Sequence, residues 1–237
     1  MQRTAPTTFR GDTVLNKETP FAVEESYKAL RTNIMLSMMG AGCKVIQVTS
    51  SQAGEGKSIT AVNLAIVLAE NGSRVLLVDC DLRAPTAAKK LKALSRPGLS
   101  NYLAHTEKGK DEAVVQQLPC GIDLLAAGDR PPNPSEVLGS REMANLITQL
   151  REQYDYIILD TPPAGVVTDA MVLARQADGV VLVARTEVAN KEAVRQVLRS
   201  FRSADIRVLG VVLNGKKMER KRDYGYGHYV KQTGNES

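Results

Sequence analysis

Lys57 and Ser58 close the run Ser51-Gln52-Ala53-Gly54-Glu55-Gly56-Lys57-Ser58, which follows the mostly apolar stretch Val45-Ile46-Gln47-Val48. An apolar strand, a small Gly-containing turn and then Gly-Lys-Ser read as strand, phosphate loop and helix. In such a loop the backbone N–H groups from Ala53, Gly54, Glu55 and Gly56 through Lys57, Ser58 and Ile59 converge on one point. The helix that follows adds the positive end of its dipole. Lys57 would reach the β- and γ-phosphates of a nucleotide, and the Ser58 hydroxyl would ligate Mg²⁺. Ser51 occupies the first position of the motif, where Gly is usual.

Carboxylates are the second requirement of such a site. Val75-Leu76-Leu77-Val78-Asp79-Cys80-Asp81-Leu82-Arg83 puts two of them at the end of an apolar strand. At a period of two, Asp79 and Asp81 point the same way. Ile157-Ile158-Leu159-Asp160 is another apolar run ending in Asp. Oxygen ligands of this kind hold Mg²⁺ directly or through water, and one carboxylate can accept a proton from an attacking hydroxyl. Strand-terminal aspartates also cap turns. Three of them on two strands beside a phosphate loop point to a metal-assisted site. Arg83 suits either a phosphate contact or an ion pair. Asn214 ends the last apolar run, before Gly215.

The elements that must position these residues follow from periodicity. Helical spacing covers Glu24 to Met39, where Val23, Tyr27, Leu30, Ile34 and Met38 recur three or four apart. A helix over 59–71 shows Ala61, Leu64, Ala65 and Leu68 on one face. Strands are expected at 74–79, 122–126, 156–160, 179–184 and 207–213. Helices are expected at 111–118, from Ser135 to about Arg151, at 169–176 and at 187–202, with short helices and turns between 84 and 110. Strands alternating with helices predict an α/β fold, a doubly wound, mainly parallel sheet with helices on both faces. Ligands of such sheets bind outside the carboxyl ends of the strands. The loop, Asp79, Asp81, Asp160 and Asn214 all fall there. The expected organisation is a loose arm over 1–20, one domain over 21–214, and a flexible basic tail over 215–237.

Composition narrows the setting. The 237 residues are 43% hydrophobic and 24% charged, ordinary values for a chain with a sizeable core. With no Trp and three Phe, that core must be Val, Leu, Ile, Ala and Met, which suits strands buried on both faces. Cys43, Cys80 and Cys120 lack ligand or pairing spacing and fit a reducing, cytoplasmic location. No run approaches the ~18 apolar residues of a membrane helix, so membrane association is expected through a partner or through charge. The net charge of +5 decides little alone, and no nucleic-acid partner is expected.

The phosphate loop, the Val-Asp-Cys-Asp-Leu-Arg strand and the Ile-Ile-Leu-Asp-Thr-Pro-Pro strand resemble the Walker A, A′ and B motifs of the bacterial protein-tyrosine kinases of the capsular and exopolysaccharide type. These belong to the deviant P-loop ATPases. Arg130-Pro131-Pro132-Asn133-Pro134-Ser135-Glu136 is similar to the proline-rich segment of that family. Glu25, Lys28 and Arg31 fall on its Glu-x-x-Arg-x-x-Arg helix motif, with Lys in the middle place. Tyr224, Tyr226 and Tyr229 resemble its C-terminal tyrosine cluster. Partition-type ATPases carry a signature lysine where Gln52 stands, which counts against that branch.

The resemblance implies an ATP- and Mg²⁺-dependent protein-tyrosine kinase. In that reading Asp79 is the catalytic carboxylate, Asp81 and Asp160 hold Mg²⁺ with Ser58, and Asn214 contacts adenine. Tyr224, Tyr226 and Tyr229 accept phosphate from a neighbouring subunit. The expected partners are further copies in a ring through Glu25, Lys28 and Arg31, a transmembrane activator at the inner face of the plasma membrane, and a cognate phosphotyrosine phosphatase. The process would be control of surface-polysaccharide synthesis or export. The alternative is an ATP-driven assembly switch without phosphotransfer to protein.

Overall fold

The computed structural model describes residues 13–40, 42–104 and 115–215. Seven strands form one sheet in the order β3-β4-β2-β5-β1-β6-β7. They are β1 (Lys44–Ser50), β2 (Val75–Asp79), β3 (Val115–Gln117), β4 (Asp123–Leu125), β5 (Tyr156–Asp160), β6 (Gly179–Arg185) and β7 (Val208–Asn214). All neighbours are parallel except β3, which pairs antiparallel with β4 at one edge. The helices are α1 (Phe21–Ser37), α2 (Lys57–Ala69), α3 (Ala87–Leu91), α4 (Leu99–Ala104), α5 (Pro134–Leu138), α6 (Arg141–Arg151), α7 (Asp169–Ala174) and α8 (Lys191–Ser203).

The apolar strands bury both faces because their residues alternate between two cores. Ile46, Val48, Leu77 and Ile158 pack under α1 and α2. Val45, Leu76, Val78, Ile157 and Leu159 pack against α4, α6 and α7. A third cluster joins Val180 and Leu182 to Val197 and Phe201 of α8. The doubly wound sheet is thus as expected. α2 exceeds the expectation of one buried face: it is buried from Ser58 through Leu68 without interruption. The cause is α1, which lies over its outer side with Tyr27 and Leu30 against the shared core.

Four expectations are corrected. The helix expected over 111–118 is strand at 115–117, where the backbone is paired in a hairpin with β4; residues 111–114 lie outside the described residues. The single helix expected from Ser135 to Arg151 is two. At Gly139 an added Cβ would come 2.8 Å from the side chain of Val172, and Ser140 then caps α6 by accepting the Met143 N–H at 3.1 Å. The helix expected from Glu187 starts at Lys191, because the Asn190 side chain accepts the Glu192 and Ala193 N–H groups. The end of the arm is held. Asn63 of α2 accepts the Leu15 N–H at 2.9 Å and donates to the Thr13 carbonyl at 3.2 Å.

Candidate active site

Every acidic residue of the expected site stands at the same sheet edge as the phosphate loop. β2, β5 and β1 are adjacent, and the register pairs Asp79 with Asp160 and Asp160 with Val48. β1 then runs two residues further, to Ser50, and enters the loop. Gly56 takes φ +94° at the N-terminus of α2, a conformation that favours glycine, and an added Cβ there would collide with the Asn214 side chain. Asn214 is fully engaged with this backbone. Its Nδ2 donates to the Glu55 carbonyl at 3.2 Å and its Oδ1 accepts the Gly215 N–H at 2.8 Å. Ala53 and Gly54 are exposed at the loop's tip, whereas Glu55 and Ile59 are buried.

Lys57 lies among the carboxylates. Its ammonium donates to Asp81 Oδ2 at 2.6 Å and to Ser58 Oγ at 3.1 Å, and stands 3.7 Å from Asp160 Oδ1. Burial alone would lower the ammonium's pKa, but Asp160, Asp81 and Asp79 together hold it above its ordinary value. Asp79 is wholly buried. One of its oxygens accepts the Asp81 N–H at 3.2 Å; the other accepts the N–H groups of Thr86 and Ala87 at 3.2 and 3.0 Å. Its pKa is pushed up to about 7, first by burial and then by the Asp160 charge. Burial also raises Asp160, against the pull of Lys57.

Asp160 is the least satisfied group. It is 0% exposed, neither carboxylate oxygen accepts a hydrogen bond, and its nearby cation is Lys57 at 3.7 Å. A buried carboxylate in that state needs a cation or water. With Ser58 and Asp81 beside Lys57, the donor set is the hard oxygen set that suits Mg²⁺. Among the described residues no group of three or more His, Cys, Asp or Glu is gathered as a metal cage.

Carboxylates raised in the folded chain keep protons that the unfolded chain has already lost. Stability therefore falls as pH rises from about 4 toward about 7, the window set by the unfolded value and by Asp79. Added Mg²⁺ with ADP should raise Tm more at pH 8 than at pH 5.5. Thermal melts at both pH values check this, and an equal rise at both would contradict it.

Some features were not legible in the sequence. The Glu55 side chain turns inward, accepting Ser51 Oγ at 2.9 Å and the Gln52 N–H at 2.8 Å, so it braces the loop from below its phosphate side. Arg83 forms an ion pair with Asp169. On α1, Lys28 pairs with Glu24 at 2.6 Å and Glu25 at 3.1 Å, while Arg31 donates to the Val67 carbonyl of α2 at 2.7 Å. Tyr224, Tyr226 and Tyr229 lie outside the described residues.

A parallel sheet with a phosphate loop between β1 and α2 and acidic termini on β2 and β5 defines a P-loop NTPase. A family model described as an AAA domain matches residues 43–208. The chain is 38% identical over 202 residues to the tyrosine-protein kinase YwqD of Bacillus subtilis, covering 85% of each. It superposes on the kinase domain of the Escherichia coli tyrosine kinase ETK with a TM-score of 0.77 and 32% identity, over 92% of this chain and 89% of that one. The septum site-determining protein MinD of Pyrococcus horikoshii, complexed with Mg-ADP, is more distant: TM-score 0.60 and 25% identity, over 72% and 70%. The chain belongs to the bacterial tyrosine-protein kinases of the capsular and exopolysaccharide type, and it is a protein-tyrosine kinase.

Proposed function

We propose that the chain uses ATP with Mg²⁺ to phosphorylate Tyr224, Tyr226 and Tyr229 of a neighbouring copy's C-terminal tail. The observation that carries this reading is the buried Asp160 carboxylate, which accepts no hydrogen bond and faces Lys57 at 3.7 Å at the mouth of the phosphate loop. The loop N–H groups and the N-terminus of α2 bind the phosphates, and Lys57 leaves Asp81 to pair with them. Asp81, Asp160 and Ser58 hold Mg²⁺. Bound there, Mg²⁺ would supply positive charge to offset what develops on the transferring phosphoryl oxygens. The tyrosine oxygen forms a bond to the γ-phosphorus as the bond from that phosphorus to the β,γ-bridging oxygen breaks, and ADP leaves. Asp79 takes the phenolic proton. A phenol has a pKa near 10, so a base poised near neutrality shortens that gap. Asn214 serves the nucleotide by holding the loop backbone in shape.

The tail follows β7 directly, and transfer between subunits avoids folding it back onto its own loop. We place the contact between copies on α1, through Glu25, Lys28 and Arg31. Lys216, Lys217, Arg220, Lys221 and Arg222 make the tail's start basic. Each added phosphate brings about −1.5 to −2 charges, which would reverse that sign and release the assembly. A transmembrane activator would then hold the kinase at the inner face of the membrane, a phosphatase would reset it, and surface-polysaccharide synthesis or export would be the process controlled. Among the described residues no helix is long and apolar enough to cross a membrane.

The test mixes two preparations. A Lys57→Met chain with an intact tail is incubated with wild type, ATP and Mg²⁺, and phosphate is mapped by mass spectrometry. Phosphate on the tail tyrosines of the Lys57→Met chain is the expected result. ADP formed without tail phosphate on either chain would instead support the assembly switch. Sizing the wild type before and after the reaction should show the assembled form losing mass as phosphate accumulates.

A further inference from the structure

Arg83 lies two residues beyond Asp81, and its guanidinium is bound to Asp169 and Ser135. Nε donates to Asp169 Oδ2 at 2.8 Å and Nη2 to Asp169 Oδ1 at 2.9 Å, the bidentate form of an Arg–carboxylate pair. The Asp169 side chain is 0% exposed. Ser135 Oγ donates to the same carboxylate, and Arg83 Nη2 also reaches Ser135 Oγ at 3.3 Å. Burial would raise the Asp169 pKa, but the hydrogen bonds from Arg83 and Ser135 bring it below its ordinary value. One buried carboxylate thus joins three segments distant in sequence: the loop after β2, the proline-rich entry to α5, and the start of α7.

Each side of this grip is rigid. The loop after β2 is bonded to itself: Asp81 Oδ1 accepts the Ala84 N–H at 3.0 Å, Asp79 accepts those of Thr86 and Ala87, and Leu82 is buried between. Arg83 and the two carboxylates therefore sit on one internally hydrogen-bonded loop. On the other side, the buried Gln47 of β1 donates to the Ala170 carbonyl at 2.9 Å and to Thr161 Oγ1 at 3.2 Å. Thr161 directly follows Asp160, and its N–H donates to the Val48 carbonyl at 3.1 Å. The start of α7 is thereby fixed to the strand that feeds the phosphate loop and to the exit from Asp160.

We propose that Arg83 is a positioning residue. By gripping Asp169 it holds the loop that carries Asp79 and Asp81 at a set distance from Asp160 and Lys57, and so tunes how well the site takes Mg²⁺ with nucleotide. Ser135 is the third member of this clamp and gives the proline-rich segment its place in the kinase. The inference rests on the metal roles of Asp81 and Asp160 put forward above. Lysine at position 83 would keep the charge but lose the two-pronged fit.

The experiment uses the full chain and two readouts. One is the Mg²⁺ concentration giving half of the ADP-dependent rise in Tm; the other is the rate of tyrosine phosphorylation. Outer partners that orient metal ligands are typically worth about 10–100-fold in metal affinity or activity. Arg83→Lys and Ser135→Ala should raise the half-saturating Mg²⁺ about tenfold and slow phosphorylation by a similar factor, with Mg²⁺-free Tm changed by only a few degrees. Arg83→Gln should cost more on both readouts. Unchanged Mg²⁺ half-saturation in Arg83→Lys, with lost activity tracking lost folded protein, would overturn the proposal. So would a rise in the KM for ATP at constant kcat, which would make Arg83 a nucleotide contact. Asp160→Asn separates this from the parent reading. If it leaves Mg²⁺ half-saturation unchanged, the metal assignment itself fails. If it shifts that value and Arg83→Lys does not, only the clamp fails.

Discussion

Lys57→Met is expected to abolish tyrosine phosphorylation and, less obviously, to destabilise the nucleotide-free chain. A preorganised cation on a transferring phosphoryl group is worth on the order of 10³-fold in rate. The structural effect has a separate origin. Lys57 is the cation 2.6 Å from Asp81 and 3.7 Å from Asp160, and its side chain is only 12% exposed. Removing it leaves buried carboxylates near one another without a counter-ion. Breaking one side of a buried pair costs about 3–5 kcal/mol. The double variant Lys57→Met/Asp81→Asn should recover much of the lost Tm, because it also removes a charge, yet stay inactive. Melts and phosphotyrosine blots of wild type, single and double variants check both halves. A single variant as stable as wild type would mean that Lys57 is not the counter-ion of the resting site.

Asp79→Asn carries the second large effect. Loss of a general base lowers rates by about 10²–10⁴-fold. Asp79 fits that role in its pKa of about 7, but not obviously in its contacts, since three backbone N–H groups occupy its oxygens. An amide placed there turns an NH₂ toward a donor, so some stability should be lost with the activity. The pH profile separates the roles. With wild type, kcat should rise with pH through the ionisation of Asp79. With Asp79→Asn, that limb should vanish while nucleotide binding persists. If the variant keeps the rising limb, Asp79 is a cap for the start of α3 and the proton goes to Asp81, whose Oδ2 already contacts Lys57.

Much of this site was legible before any coordinates. The Gly-Lys-Ser turn after an apolar run specifies its own backbone conformation, because Gly56 must adopt positive φ. Apolar runs ending in Asp place Asp79, Asp81 and Asp160 at strand termini, and β/α alternation brings those termini to one edge. Errors fell where local pattern competes with a tertiary bond. Residues 115–117 lack strong periodicity and become strand through β4 alone. The plausible long helix breaks at Ser140, whose backbone is extended and whose side chain caps α6 through the Met143 N–H.

The sequence by itself determined that the phosphate loop and three aspartates would all lie at the carboxyl end of a parallel sheet, since those features depend on local conformation and on a period of two. Only the tertiary structure decided which partner each side chain takes. Lys57 rests on Asp81, Glu55 turns into its own loop, Asn214 holds the backbone beside Gly56, Arg31 docks on α2, and Arg83 reaches Asp169. These pairings span up to 159 residues of chain for Asn214 and Glu55, and 86 for Arg83 and Asp169. They depend on the order β2-β5-β1 and on helix placement, which hydrophobic periodicity does not encode, because every buried strand offers its neighbours the same two apolar faces.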